Sequence, residues 1–267
     1  MKGRVLVAAG SDCSGGAGIQ ADIKTITALG GYAAAAVTAL TAQNTRGVFG
    51  VLPVDPDFVA RQIRLVLDDI GADVIKTGML YSAGVIKAIA GTLDRYGPDI
   101  PLVVDPVMIS TSGVPLLDPE AVTALKDGLL VRAALVTPNL PEAMALTGLS
   151  GINDPAGMRL AARLVRELGS RAVLIKGGHL EGEALIDLLS YGEDEILFRT
   201  ERIDTPHTHG TGCTLASAIA TGLAQGLELR DAVARGQAYL RQAILTAPGL
   251  GRGHGPLNHG HTVRSFP

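Results

Sequence analysis

Tryptophan is absent from the 267 residues, and Phe and Tyr together bring the aromatic share to only 3%. Proteins that read nucleic acid need aromatic platforms or a basic footprint. Neither is present, because Lys+Arg 23 stand against Asp+Glu 26. Cysteine is nearly missing as well. Cys13 and Cys213 are far apart and form no C-x-x-C pair, which excludes a disulfide framework and the usual zinc or redox motifs. Long apolar runs are also lacking. The start Met1-Lys2-Gly3-Arg4 is basic, but Val5 to Ala9 is too short for a signal-peptide core. The uncharged stretch Thr25 to Thr45 contains Gly30-Gly31, Gln43 and Asn44, so it reads as helix end, turn and buried strand and not as a membrane span. There is no linker, repeat or low-complexity segment. The expectation is a cytoplasmic protein with no nucleic-acid or membrane partner, folding as one domain over residues 1–267.

What is present is a large apolar fraction, 47%, on a chain with a net charge of -3, which excludes intrinsic disorder. The apolar residues follow a repeating rhythm of short run, turn and helical pattern. Strands are expected at Arg4–Ala9, Ala33–Leu40, Val74–Lys76, Leu102–Val104, Leu135–Val136 and Ala172–Ile175. Helices are expected at Gly18–Leu29, from Asp55-Pro56, from Ser82 to before Gly97-Pro98, from Asp118-Pro119, from Asn139 through Leu146, and from Asp154-Pro155 to Gly169. In the Asp55-Pro56 helix, Phe58, Val59, Ile63, Val66, Leu67 and Ile70 fall on one face. Apolar runs without alternation suit parallel strands covered on both sides. The rhythm changes at Ala184–Leu189 and Ile196–Ile203, which flank Tyr191-Gly192 as an antiparallel hairpin. Helices at about Gly212–Ala224 and Leu229–Thr246 follow. The fold class is therefore α/β: a mostly parallel central sheet, helices on both faces, and a late antiparallel hairpin.

Ligands of such sheets bind beyond the carboxyl ends of the strands, so the loops there carry the search. In the first, Gly16-x-Gly18-x-x-Ala21 imitates a dinucleotide fingerprint but lacks the acidic ribose partner. Gly18 to Thr25 nearly spells a phosphate-binding loop but has Ile23 where the second glycine belongs. What survives is Asp12 beside free backbone N–H groups. Thr208-His209-Gly210-Thr211-Gly212-Cys213-Thr214 is the strongest local signal. A glycine-rich turn entering a helix aims unpaired N–H groups and the positive dipole end at one point, a cradle for a phosphoryl group. Cys213 in the first helical turn is expected to have a lowered thiol pKa; the pattern equally allows a small buried Cys at a tight helix start. Asn139 and Glu142 suit an N-cap, or a shared Mg²⁺ held through oxygen ligands and water. Asp105 ends an apolar strand facing the crevice. His254, His259 and His261 sit in a glycine-rich tail and read as solvated.

Taken together these motifs resemble the ribokinase-like superfamily of small-molecule kinases, and within it the hydroxymethylpyrimidine/phosphomethylpyrimidine kinases of thiamine biosynthesis. The resemblance rests on Ala9-Gly10-Ser11-Asp12, Gly15 to Asp22, Thr41-Ala42-Gln43-Asn44-Thr45 and Lys76-Thr77-Gly78-Met79. It continues through Val104 to Met108, Thr137 to Ala143, Lys176-Gly177-Gly178-His179, Thr208 to Thr214 and Gly253 to Leu257. It implies ATP-dependent phosphorylation of 4-amino-5-hydroxymethyl-2-methylpyrimidine, then of its monophosphate, by a homodimer. Gly210, Thr211, Gly212 and Cys213 would form the anion hole, with Cys213 as base. Gln43 would read the pyrimidine, with Gly10, Asp12, Met79 and Val107 lining its pocket. Lys176, Asn139 and Thr208 would hold ATP, while Asp105 and Glu142 would organise Mg²⁺ through water. His207 stands where the family has Asn, and Thr111-Ser112-Gly113 where it has Lys-Ser-Gly, which removes one cation near the acceptor phosphate. The rival readings are a pyridoxal kinase of the same superfamily and a non-catalytic nucleotide- or pyrimidine-binding regulator.

Overall fold

A computed structural model describes residues 1–109, 113, 116–178 and 184–264. Thr111, Ser112 and His179 lie outside the described residues. The strands are β1 (Arg4–Asp12), β2 (Tyr32–Asn44), β3 (Gly47–Pro53), β4 (Val74–Thr77), β5 (Leu102–Val104), β6 (Leu135–Val136), β7 (Ala172–Ile175), β8 (Ala184–Tyr191) and β9 (Asp194–Glu201). They form one nine-stranded sheet in the order β3-β2-β1-β4-β5-β6-β7-β8-β9. From β2 to β7 every pair is parallel; β3 on one edge and β8 and β9 on the other are antiparallel. The expected α/β class and late hairpin are present.

Several helices start where the sequence supplies a cap. Asp55 accepts from the N–H groups of Asp57 and Phe58 ahead of α2 (Pro56–Asp69), Ser82 caps α3 (Ala83–Tyr96), and Asp154 caps α6 (Pro155–Glu167). Together with α4 (Pro119–Gly128) and α5 (Leu140–Thr147), these cover one face of the sheet, against Leu6, Ala8, Ile75, Val104 and Val173. The alternate strand residues Val5, Val7, Val74, Val103 and Leu174 point the other way. They meet α1 (Gly18–Ala28), α7 (Thr211–Ala224) and α8 (Leu229–Leu245). Period-two alternation on strands buried on both faces is what the unbroken apolar runs encode. Among the described residues, no helix is long and apolar enough to cross a membrane.

Three details depart from expectation. β3 was not anticipated, because two glycines and a terminal proline dilute its strand pattern and, as an edge strand, it is covered on one side only. β2 runs on past Leu40 through Gln43, because β3 pairs with its far end. Phe58 points outward at 54% exposure, since the core-facing stripe of α2 begins at Val59 and continues at Ile63.

One polar knot crosses the second layer. Lys76 of β4 and Asp22 of α1 are fully buried, with Nζ 2.9 and 3.1 Å from the two carboxylate oxygens. Ser217 of α7 donates a further bond of 2.6 Å to Asp22. Burial lowers the Lys76 pKa, but the adjacent Asp22 carboxylate outweighs it and raises it, so the lysine keeps its proton. Removing one charge strands the other. Lys76→Met is expected to cost about 3–5 kcal/mol in chemical denaturation, whereas Lys76→Met combined with Asp22→Leu recovers most of it. Equal losses in the single and double variants would contradict this.

Candidate active site

The carboxyl ends of the parallel strands open into a cavity of about 590 Å³. Every site residue expected from the sequence lines it: Gly10, Asp12, Gln43, Met79, Asp105, Val107, Asn139, Glu142, Lys176, Thr208 and the turn Gly210 to Cys213. They come from seven separate loops or strand ends, which a βαβ sheet brings to one rim.

Asp12 organises the first loop. Its carboxylate accepts from Ser14 N (2.8 Å) and Oγ (2.7 Å), Gly16 N (3.0 Å) and Ala17 N (2.8 Å), and His209 Nε2 lies 2.8 Å away. Burial opposes its charge, but the bonds from His209, Ser14 and Ala17 prevail and hold the carboxyl at about 2. The carboxylate is therefore spent on the loop and on His209. Its place in the pocket wall is that of an anchor.

The glycine-rich turn is pressed onto this loop. Gly210 has a φ of 86°, and a Cβ there would overlap the carbonyl oxygen of Gly16. Only glycine satisfies both conditions. α7 then begins with no acidic residue and no side-chain cap in its first turn. Thr211 N and Thr214 N bond to Thr208 O and Gly210 O, while among the described residues Gly212 N and Cys213 N have no partner. A Cβ on Gly212 would lie 3.3 Å from Lys176 Nζ and 3.5 Å from Asp105 Oδ2, so the unpaired N–H groups adjoin that ion pair.

Cys213 is half-buried and lies in the first turn of α7. Its thiol is not activated as expected. Burial pushes it up to about 12; Lys76 pulls down, but Asp22 and Asp105 push the same way as burial. A helix N-terminus alone suggests the opposite, because the burial of the thiol and the two carboxylates beneath it are invisible in the local sequence.

Asp105 is 1% exposed. Its Oδ1 accepts from Lys176 Nζ (3.0 Å) and Thr137 Oγ (3.2 Å), whereas Oδ2 is buried with no partner. Glu142 and Asn139 form a capping box, with Glu142 N to Asn139 Oδ1 at 2.9 Å and Asn139 N to Glu142 Oε2 at 2.8 Å. Burial raises the Glu142 carboxyl to about 7 against the pull of Lys176, whose Nζ is 4.0 Å away. Two carboxylates facing one ammonium, with one oxygen orphaned, leave the charge a hard cation takes. Among the described residues no three potential ligands cluster, so the arrangement fits Mg²⁺ that keeps waters and phosphate oxygens, and not an all-protein cage.

Gln43 projects from a β-bulge at Ala42/Gln43, and its side-chain amide has no partner among the described residues. Behind it, Cys13 Sγ donates to Gln43 O at 3.2 Å. Sequence reading missed three contributors. His209 was only part of a motif, and Asp187, which accepts from Gly177 N (2.9 Å) and Gln237 Nε2 (2.8 Å), gave no signal in a strand. His259 is buried, not solvated. Its Nε2 is 3.0 Å from Thr214 Oγ, and burial lowers it to about 4, so it stays neutral. His261 packs on Tyr239 with ring centroids 4.6 Å apart, and only His254 is exposed as expected.

The depressed Asp12 pKa fixes the sign of a stability effect. The carboxylate stabilises the fold above its unfolded pKa near 4 and loses that contribution as pH falls towards 2. Asp12→Asn is expected to cost roughly 2 kcal/mol at pH 7, with the difference from wild type shrinking between pH 4 and 2. A pH-independent difference in denaturation free energy would contradict the assignment.

Comparison with known proteins agrees with this geometry. Residues 12–258 match the family model for phosphomethylpyrimidine kinase. A hydroxymethylpyrimidine/phosphomethylpyrimidine kinase of Rhizobium meliloti is 48% identical, over 95% of this chain and 95% of that one. A thiamine biosynthesis bifunctional protein of Geobacter sulfurreducens is 55% identical over 97% of this chain, which spans 52% of that longer protein. Among solved structures, the ADP complex of Bacillus subtilis pyridoxal kinase superposes with a TM-score of 0.90 at 36% identity, covering 97% of this chain and 98% of that one. The chain belongs to the phosphomethylpyrimidine kinase family.

Proposed function

We propose that this cavity transfers the γ-phosphoryl group of ATP to the hydroxymethyl group of 4-amino-5-hydroxymethyl-2-methylpyrimidine, and then a second phosphoryl group to the resulting monophosphate. The observation that carries the reading is the pair of unpartnered N–H groups at Gly212 and Cys213, set against Lys176 and Asp105. Phosphoryl transfer asks chiefly for positioning and charge stabilisation, and these groups supply both. Lys176 would contact the donor phosphates, with Asn139 and Thr208 beside the nucleotide. Asp105, through its free Oδ2, and Glu142 would hold Mg²⁺, largely through water; the ion would neutralise developing charge on the phosphates. The free amide of Gln43 offers a donor and an acceptor to the aminopyrimidine edge, between Gly10, Met79 and Val107.

A pyridoxal kinase is the second reading, favoured by the TM-score of 0.90 to such an enzyme. The higher identity to the pyrimidine kinase places it second. A non-catalytic binder has no need of an orphaned carboxylate beside a lysine and an open helix start. In an ADP-release assay with Mg·ATP, kcat/KM is expected to be at least about tenfold higher for the pyrimidine than for pyridoxal. Tenfold preference for pyridoxal would reverse the order, and release with neither would remove the kinase reading.

A homodimer is part of the proposal. Leu40 and Leu52 are cross-strand partners on the edge pair β2–β3 and are 46% and 64% exposed, and Phe49 is 70% exposed. A second copy would cover them, so light scattering should give twice 27.5 kDa; a monomeric mass would contradict it.

The raised thiol pKa shapes the role of Cys213. Only its thiolate can take the hydroxymethyl proton, and that fraction grows as pH rises towards about 12. The first transfer is therefore expected to accelerate from pH 7 to 9, and the second, whose acceptor is already anionic, is not. Cys213→Ala should lower the first by about 10²-fold and flatten its pH profile. An unchanged slope, or equal losses in both transfers, would reduce the residue to a positioning part.

A further inference from the structure

Gln43 sits two residues from the tip of the β2–β3 hairpin, and its use depends on what holds that tip. Local bonding is already supplied by Asn44, whose Oδ1 accepts from Arg46 N at 2.9 Å. Thr45 is engaged from elsewhere. Its Oγ accepts from Arg252 N (3.1 Å) and Gly253 N (3.3 Å), and its carbonyl from His254 N (2.8 Å). All three donors come from the segment after α8.

The same segment then reaches the phosphate-binding turn. His209 N donates to Gly255 O at 3.2 Å, and His209 pairs with Pro256 as an isolated bridge. Further on, His259 Nε2 is bonded to Thr214 Oγ in the first turn of α7, and Tyr239 OH donates to His259 O at 2.6 Å. Asn258 N bonds to Ala243 O at 3.0 Å, which ties the segment to α8. Its glycines are required by contact: a Cβ at Gly251 or Gly253 would overlap Thr45, and one at Gly255 would overlap the His207 ring. The composition that read as a solvated tail is that of a strap laid tightly across two loops.

We infer that Thr45 is a positioning residue for the acceptor: through residues 252–256 it fixes Gln43 in register with the turn Gly210–Cys213, so that the ring and the reacting hydroxyl are held by one rigid unit. This rests on the reading of Gln43 given above. Hydrogen bonds from three successive N–H groups to one threonine are far more than a surface turn needs, and they join the two parts of the site that no strand connects.

Steady-state kinetics of the full chain test it, with Gln43→Ala as the reference for loss of ring binding. Thr45→Val keeps the shape and removes the Oγ acceptor. It is expected to raise the KM for the acceptor about tenfold while KM for ATP stays within about twofold. Thr45→Ser, which keeps Oγ, should stay within about twofold of wild type, a rescue that loss of general stability would not show. Gly253→Ala should reproduce Thr45→Val, and decides the matter by the same criteria if Thr45→Val fails to fold. An unchanged acceptor KM, equal rises in both KM values, or a serine variant as impaired as the valine one would overturn the inference. Turnover by the wild type is read first. If neither pyrimidine nor pyridoxal is phosphorylated, the proposed function has failed and this inference falls with it, before any variant is compared.

Discussion

The site depends on one close backbone approach. The start of α7 can face the strand ends only if Gly210 lies against the carbonyl of Gly16, in a conformation that side chains avoid. The Asp12–His209 bond clamps the two loops from the other side. These residues are separated by most of the chain, so the phosphate cradle is a product of the completed fold and not of any local segment. Where the clamp holds, Gly212 and Cys213 present their N–H groups beside Lys176 and Asp105 without further adjustment. Preorganisation of that kind is what electrostatic catalysis requires, because nothing has to reorient as charge develops.

The electrostatics of the rim are finely opposed. Lys76 and Asp22 neutralise each other beneath α7, and Lys176 is shared between Asp105 and Glu142. The negative excess on the second group is what a cation would use, while burial, with Asp22 and Asp105, keeps the thiol protonated. A buried, acid-lined group thus favours cation binding over a resting thiolate. The helix dipole, worth at most a couple of kcal/mol, is too weak to reverse that balance.

Much of this was legible in the sequence, for reasons that are local. Asp55-Pro56, Ser82, Asn139 and Asp154 cap helices, and strands buried on both faces are apolar almost throughout, with Lys76 of β4 a paired exception. The site loops could be located because strand ends in a parallel sheet share one rim. What escaped is non-local. β3 depends on pairing with β2; the burial of His259 depends on Tyr239 and Thr214; the height of the Cys213 pKa depends on burial and then on Asp22 and Asp105. Asp12 looked like a free carboxylate at the ligand edge and is instead consumed by its own loop and by His209, a partner 197 residues away.

The most direct measurement on the central claim is single-turnover phosphoryl transfer by Gly210→Ala, alongside its affinity for ATP. A methyl group there must push the turn off Gly16 and swing the Gly212 and Cys213 N–H groups away from the migrating phosphoryl group. The transfer rate is expected to fall by about 10²-fold or more with nucleotide affinity nearly intact. A folded Gly210→Ala protein transferring at close to the wild-type rate would show that the cradle is not where the chemistry is stabilised.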